Sequence, residues 1–264
     1  MKLYTPPSKS HKGQNGKLMI IGGSKLFHAA SLWPLTVASR IVDMVFYSSV
    51  EENNGIVQQL KKEFRNGIIV PRSKVRDYIE EVDCILIGPG LPRKNGEEEG
   101  DDDTKNLTED LLKNFPDKKW LIDGGSLQTI DPKFIPKNAI LTPHPKEFEM
   151  LFKIPANQKN TVEMAKKYNC VILLKGPTDI ICSPKECVKV KGGNAGMTKG
   201  GTGDVLAGLV AALYCKNDAF NSAVWGSKIN KKAGDSLFKK VGYYFNASDL
   251  ANEIPVVISK LLSI

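Results

Sequence analysis

Leu18-Met19-Ile20-Ile21-Gly22-Gly23-Ser24 decides the fold. Apolar residues in unbroken succession that stop at two glycines are too few for a helix. They fit a strand buried on both faces. Residues 29–42 then read as a helix, in which Pro34 is tolerable only near the first turn. The same alternation continues outward. Short apolar runs at residues 44–47, 67–70, 84–87, 120–122, 140–142, 171–174, 180–182 and 188–190 read as strands, with helical periodicity at 73–80, 107–114, 145–152 and 161–168. Buried strands alternating with helices predict a mostly parallel sheet covered on both faces. From Thr202 the pattern is helical, at 203–213, 219–238 and 248–262, so the C-terminal third forms a helical layer.

The 264 residues are 41% hydrophobic and 25% charged, enough for a sizeable core and unlike a disordered or fibrous chain. No internal repeat and no linker rich in Pro, Gly and Ser divides them, so residues 1–264 are expected to form a single domain. No apolar run approaches the roughly 20 residues that span a bilayer, and Met1-Lys2-Leu3-Tyr4-Thr5-Pro6-Pro7 lacks a secretory hydrophobic segment. A cytoplasmic location and no membrane partner are the expectation. Cys84, Cys170, Cys182, Cys187 and Cys215 are odd in number, scattered and free of C-x-x-C spacing, and read as reduced thiols.

Basic residues outnumber acidic ones by 37 to 29, a net charge of +8, which favours anionic partners such as nucleotides or phosphates. Nucleic acid is disfavoured. The lysines are spread as the pairs Lys61-Lys62, Lys118-Lys119, Lys166-Lys167, Lys231-Lys232 and Lys239-Lys240, which read as solvated surface. The acidic run Glu97-Glu98-Glu99-Gly100-Asp101-Asp102-Asp103 could hold a divalent cation, but a run of like charges reads first as a solvated loop.

Chemistry concentrates in Gly192-Gly193-Asn194-Ala195-Gly196-Met197-Thr198-Lys199-Gly200-Gly201-Thr202-Gly203-Asp204-Val205-Leu206-Ala207-Gly208. A glycine-rich loop opening a helix turns backbone N–H groups toward one point, and the helix start adds partial positive charge. Together they suit phosphate. Asp204 falls in the first helical turn, where a carboxylate beside a phosphate needs a task, such as taking a proton from an attacking hydroxyl. The plain alternative is that Thr202 or Asp204 caps a helix and the glycines form a turn.

Further loops end predicted strands, the edge at which open α/β sheets bind ligands. They are Ile87-Gly88-Pro89-Gly90-Leu91, Asp123-Gly124-Gly125-Ser126, Thr142-Pro143-His144-Pro145-Lys146-Glu147-Phe148 and Leu174-Lys175-Gly176-Pro177-Thr178-Asp179. Singly, each is an ordinary chain reversal. His144 could equally make a structural hydrogen bond, and Lys175 could be a surface cation.

Taken together with Ser10-His11-Lys12-Gly13 and Ile21-Gly22-Gly23-Ser24, these blocks make the whole chain resemble the ADP/ATP-dependent NAD(P)H-hydrate dehydratases of the ribokinase-like superfamily. Gly193-Asn194-Ala195-Gly196-Met197 and the block from Gly200 to Gly208 are the most specific. The resemblance implies a ribokinase-like three-layer α/β sandwich that returns hydrated NADH and NADPH to working cofactor, with Mg2+ and with ADP or ATP as phosphate donor. It implies Asp204 as the base, with Gly201, Thr202 and Gly203 as anion hole. Ala29, Gly90, His144 and Asp204 would contact the hydrated dinucleotide. Lys175, Gly176, Pro177, Thr178, Asp179 and Gly203 would hold the adenine nucleotide. A homotetramer and a separate NAD(P)H-hydrate epimerase are also implied, since the companion epimerase domain has no room before Lys17. No metal ligand is identified.

The chain departs from the family pattern where His28-Ala29 replaces a Gly-Ala pair, where Asp123-Gly124-Gly125-Ser126 replaces an Asp-Ala-Asp-Ala run, and in the acidic insertion at residues 97–103. The competing readings are a ribokinase-like kinase of a small vitamin-precursor alcohol, using the same Asp204, and an idle nucleotide-binding protein in which His28 blocks the substrate cleft.

Overall fold

The computed structural model describes residues 3–59, 66–93 and 98–263. Among these, β1 (Lys17–Ile21), β2 (Met44–Ser48), β3 (Ile68–Ile69), β4 (Cys84–Ile87), β5 (Lys119–Ile122), β6 (Ile140–Leu141) and β7 (Val171–Leu174) run parallel, and β8 (Asp179–Cys182) and β9 (Cys187–Val190) continue the sheet antiparallel. The strand order is β3-β2-β1-β4-β5-β6-β7-β8-β9. In β1, Leu18 and Ile20 enter one core while Met19 and Ile21 enter another, which is why the strand is apolar throughout.

One core packs the sheet on α3 (Val75–Ile79), α4 (Thr104–Asn114), α5 (Gly124–Thr129), α6 (Pro145–Phe152) and α7 (Gln158–Tyr168). The other face is covered by α1 (His28–Ala38), α2 (Glu51–Gln59), α8 (Thr202–Tyr214) and the start of α9 (Ala219–Val241). A third cluster joins α8 and α9 to α10 (Ala247–Leu262), so the C-terminal helical layer is where the sequence places it. Because β1 and β4 to β7 are parallel, the loops that follow them gather at one edge of the sheet.

Pro34 does not lie in the first turn of α1, as its chemistry predicts, but well inside the helix. A Cβ on Gly208 of α8 would fall 2.5 Å from the Pro34 Cα, so the two helices meet almost backbone to backbone. That packing offsets the lost hydrogen bond, which costs about 3 kcal/mol in an exposed helix. The segment at 73–80 divides into a 3-10 turn, Arg72–Lys74, followed by α3.

The cysteines are not all reduced thiols. Cys182 and Cys187 form a disulfide, because the β8–β9 register sets them directly opposite each other, while Cys84, Cys170 and Cys215 are free and buried. In the acidic run, Glu97 lies outside the described residues, as do Lys61 and Lys62 of the first lysine pair. The aspartates of that run are engaged within the fold. Asp101 accepts from the Lys25 and Glu98 N–H groups, Asp102 pairs with Arg72 at 2.7 Å, and Asp103 caps α4. Among the described residues, no helix is long and apolar enough to cross a membrane.

Candidate active site

The glycine-rich block turns into α8 at Gly201, which has φ +91° and where a Cβ would fall 2.4 Å from the Trp33 ring of α1. Only glycine fits there. No side chain caps this helix start. Thr202 instead donates its hydroxyl backward, to the Met197 carbonyl at 2.6 Å and to that of Lys199 at 2.9 Å, closing the loop. At this helix start the Thr202 N–H also donates to the Lys199 carbonyl, at 3.4 Å.

Asp204 lies in that first turn, half-buried. Burial, then the negative charge of Asp123, push its carboxyl up to about 7, against the pull of Lys175. Lys175, just after β7, points Nζ at Asp123 Oδ1, 2.9 Å away, and at Glu147 Oε2, 3.8 Å away. Burial alone would lower the Lys175 ammonium, but Asp123 and Glu147 outweigh it and raise it.

Asp123, which ends β5, is buried and also accepts the Thr142 hydroxyl at 2.7 Å. Its backbone is tightly seated. Gly88 has φ +119°, and a Cβ there would fall 1.8 Å from the Asp123 carbonyl oxygen.

A cleft of about 610 Å³ opens beside these groups, lined among others by His144, Lys175, Gly176, Asp179, Gly203 and Lys231. His144 serves as N-cap of α6. Its Nδ1 accepts the Glu147 N–H at 3.2 Å, while Glu147 Oε2 accepts the His144 N–H at 2.9 Å. His144 therefore shares a cleft with the stretch expected to hold nucleotide. Pro177 lines the same cleft, and Thr178 completes its turn.

Asp179 is held inward, by the Gly176 N–H at 2.9 Å, the Ser227 hydroxyl at 2.7 Å and Lys231 Nζ at 3.4 Å. Lys231 is thus not solvated surface. The helical period turns it into the cleft wall and leaves Lys232 exposed. Asn230, beside it, lines the cleft too, with its amide oxygen buried and unpartnered among the described residues.

Ala29 and Gly90 are not among the residues that line this cleft. Gly90 has φ +71°, and a Cβ there would meet the Phe27 carbonyl at 2.7 Å and Ala30 Cβ at 2.9 Å, so the loop after β4 rests on the start of α1. Helix α1 then carries Trp33 to Gly201, at the start of α8. His28 is exposed. Sequence reasoning missed Asn230 and Lys231, which lie in a helix with no motif. It also left Asp123 and Glu147 without a role. Their signal is the loop position, at the end of one strand and after another.

Among the described residues, no three of His, Cys, Asp and Glu converge to hold a metal ion. Asp123 and Glu147 are turned toward Lys175.

A family model described as NAD(P)H-hydrate dehydratase matches residues 18–256. An ADP-dependent (S)-NAD(P)H-hydrate dehydratase from Nitrosopumilus maritimus is 34% identical, over 95% of this chain and 91% of its own. A bifunctional NAD(P)H-hydrate repair enzyme from Methanocaldococcus jannaschii is 38% identical over 95% of this chain, which spans only 50% of that relative's length. Among solved structures, the ADP/ATP-dependent NAD(P)H-hydrate dehydratase from Bacillus subtilis, co-crystallised with ATP and Mg2+, superposes with a TM-score of 0.80 at 22% identity, covering 97% of this chain and 93% of that one. A ribokinase-like superfamily protein from Enterococcus faecalis superposes at 0.79, also at 22% identity, with coverages of 98% and 92%. The fold is the ribokinase-like sandwich, and the chain belongs to the NAD(P)H-hydrate dehydratase family.

Proposed function

We propose that this chain returns hydrated NADH and NADPH to the reduced dinucleotide at the expense of ADP or ATP. One observation carries the reading. Asp204 stands half-buried in the uncapped first turn of α8, its carboxyl pushed up to about 7, which is the character of a base working near neutral pH.

In this reading Asp204 takes the proton of the ring hydroxyl, whose oxygen forms a bond to the terminal phosphorus as the bond from phosphorus to the donor nucleotide breaks. ADP leaves as AMP, or ATP as ADP. The N–H groups at Gly201 and Gly203, with that of Thr202 once it leaves the Lys199 carbonyl, would take up charge on the transferred group. The ring nitrogen lone pair then expels the ester as inorganic phosphate, and loss of a proton from the neighbouring ring carbon restores the reduced nicotinamide.

Lys175, Gly176, Pro177, Thr178 and Asp179, with Gly203, would hold the nucleotide. Ala29, Gly90 and His144 would hold the hydrate. Mg2+ would arrive on the nucleotide's phosphates and screen their charge, since the described residues form no cage for it. The names of the Nitrosopumilus and Bacillus relatives support the substrate and donor. We further infer that residues 1–264 act as one dehydratase unit, as a homotetramer in the cytoplasm. The bifunctional name of the longer relatives supports a functional link to epimerisation of the hydrate.

The test is recovery of reduced-nicotinamide absorbance when the protein meets hydrated NADH and Mg2+ with ADP, with ATP or without nucleotide. Nucleotide-dependent recovery is the expected result and names the donor. No recovery with either overturns the proposal and redirects the site to vitamin-precursor alcohols.

A further inference from the structure

Lys175 stands in an electrostatically awkward place. Its Nζ lies 3.6 Å from where a Cβ on Gly203 would be, against the positive end of α8. A largely buried ammonium, with its side chain 18% exposed, is stable there only if carboxylates outweigh both burial and the helix end.

The three carboxylates near it are not equivalent. Glu147 is occupied in capping α6 and in accepting the Gln128 amide at 3.3 Å, and its oxygen comes no closer than 3.8 Å to Nζ. Asp204 is hydrogen-bonded by its own N–H, with no other donor among the described residues. Asp123 bonds Lys175 directly at 2.9 Å, and the Thr142 hydroxyl pins the same Oδ1 from the neighbouring strand end. At 2% exposure, and with the Gly88 turn pressed on its carbonyl, Asp123 has no alternative position to adopt.

We propose that Asp123 is a positioning residue. It holds the Lys175 ammonium at the mouth of α8, so that one cation faces both the Asp204 carboxylate and the phosphoryl group bound there. The inference deepens the reading of Asp204 as base and rests on it.

The charged groups facing Asp204 are Asp123 from the end of β5, Lys175 from the end of β7 and Glu147 from α6, whose Oε1 is 3.5 Å from His144 Nε2. Asp123 raises the proton affinity of Asp204 and Lys175 lowers it. Removing either charge should therefore move Asp204 in opposite directions. Loss of packing alone would give no such opposition.

The experiment is a pH titration of carboxyl-13C-labelled aspartate by NMR on the full, ligand-free chain, with the Asp204 resonance identified by its loss in Asp204→Asn. The Asp204 midpoint should fall by roughly one pH unit in Asp123→Asn and rise by roughly one in Lys175→Met. Lys175→Arg, which keeps the charge, should leave it in place. Asp123→Glu, which keeps the charge but shifts the carboxylate that holds Lys175, reads the positioning itself and stands in if Asp123→Asn does not fold: the midpoint should rise, and an unmoved midpoint overturns the proposal. A midpoint unmoved by removing either charge, or moved the same way by both, overturns the proposal. Since no substrate is present, this outcome is read separately from the absorbance assay that tests the reaction.

Discussion

Asp179 and Asp204 are two carboxylates beside the same cleft, and their surroundings differ in kind. Asp179 is buried and fully engaged, by a backbone N–H, a serine hydroxyl and the Lys231 ammonium. Asp204 is half-buried, receives only its own N–H among the described residues, and has its carboxyl pushed up to about 7. A carboxylate whose lone pairs are taken holds structure, whereas one that is desolvated yet unpartnered is available to a proton. The cleft therefore separates support from chemistry, although both residues follow short glycine-containing loops at one sheet edge.

The sharpest way to break this comparison is Asp179→Ala. It leaves the buried Lys231 without its counter-charge and orphans the Gly176 N–H and the Ser227 hydroxyl. A loss of about 3–5 kcal/mol is expected, the scale for removing one partner of a buried pair. Denaturant unfolding measures it. A loss below about 1 kcal/mol would show that Asp179 does not hold this wall.

Asp204→Asn should do the reverse. Turnover in the absorbance assay should drop by roughly a hundredfold or more, the scale of a lost general base, which corresponds to about 2.7 kcal/mol of transition-state stabilisation. Nucleotide binding, followed by calorimetry, should persist. Near-normal turnover would return Asp204 to the structural class.

Much of this contrast lies beyond what sequence can carry. The strands β4 and β7 match their apolar runs residue for residue, because complete burial on both faces forces an unbroken hydrophobic pattern. Helix α2 is missed. Glu51-Glu52-Asn53-Asn54-Gly55 is a poor helix former, and tertiary contacts hold it, with Asn53 buried and donating to the Ser24 carbonyl. Helix α5 opens on Gly124 and Gly125 for a similar reason, since a Cβ on Gly125 would fall 2.3 Å from the Leu91 carbonyl oxygen.

The glycine-rich start of α8 and the place of Asp204 in its first turn were legible, because such a block is contiguous in sequence. The Asp123–Lys175 pair spans 52 residues, and the Ser227–Asp179 bond spans 48. Such pairs exist only once the sheet edge has assembled them. The disulfide likewise needs the hairpin register that sets Cys182 opposite Cys187.

The smallest effect is the most discriminating between the two aspartates. A native carboxyl at about 7, against roughly 3.9 in the unfolded chain, means that the folded state binds this proton more tightly between those values. Stability contributed by Asp204 therefore falls as pH rises from about 4 to about 7, and the full penalty remains above that. Asp204→Asn removes the penalty. The variant should melt above the wild type at pH 8, by at least the roughly 2–4 °C that about 1 kcal/mol gives in a chain of this size, with the gap closing toward pH 4. Thermal melts at the two pH values measure it. A variant less stable than the wild type at pH 8 would mean that the Asp204 carboxylate is as well satisfied as that of Asp179, and the distinction between the two would fail.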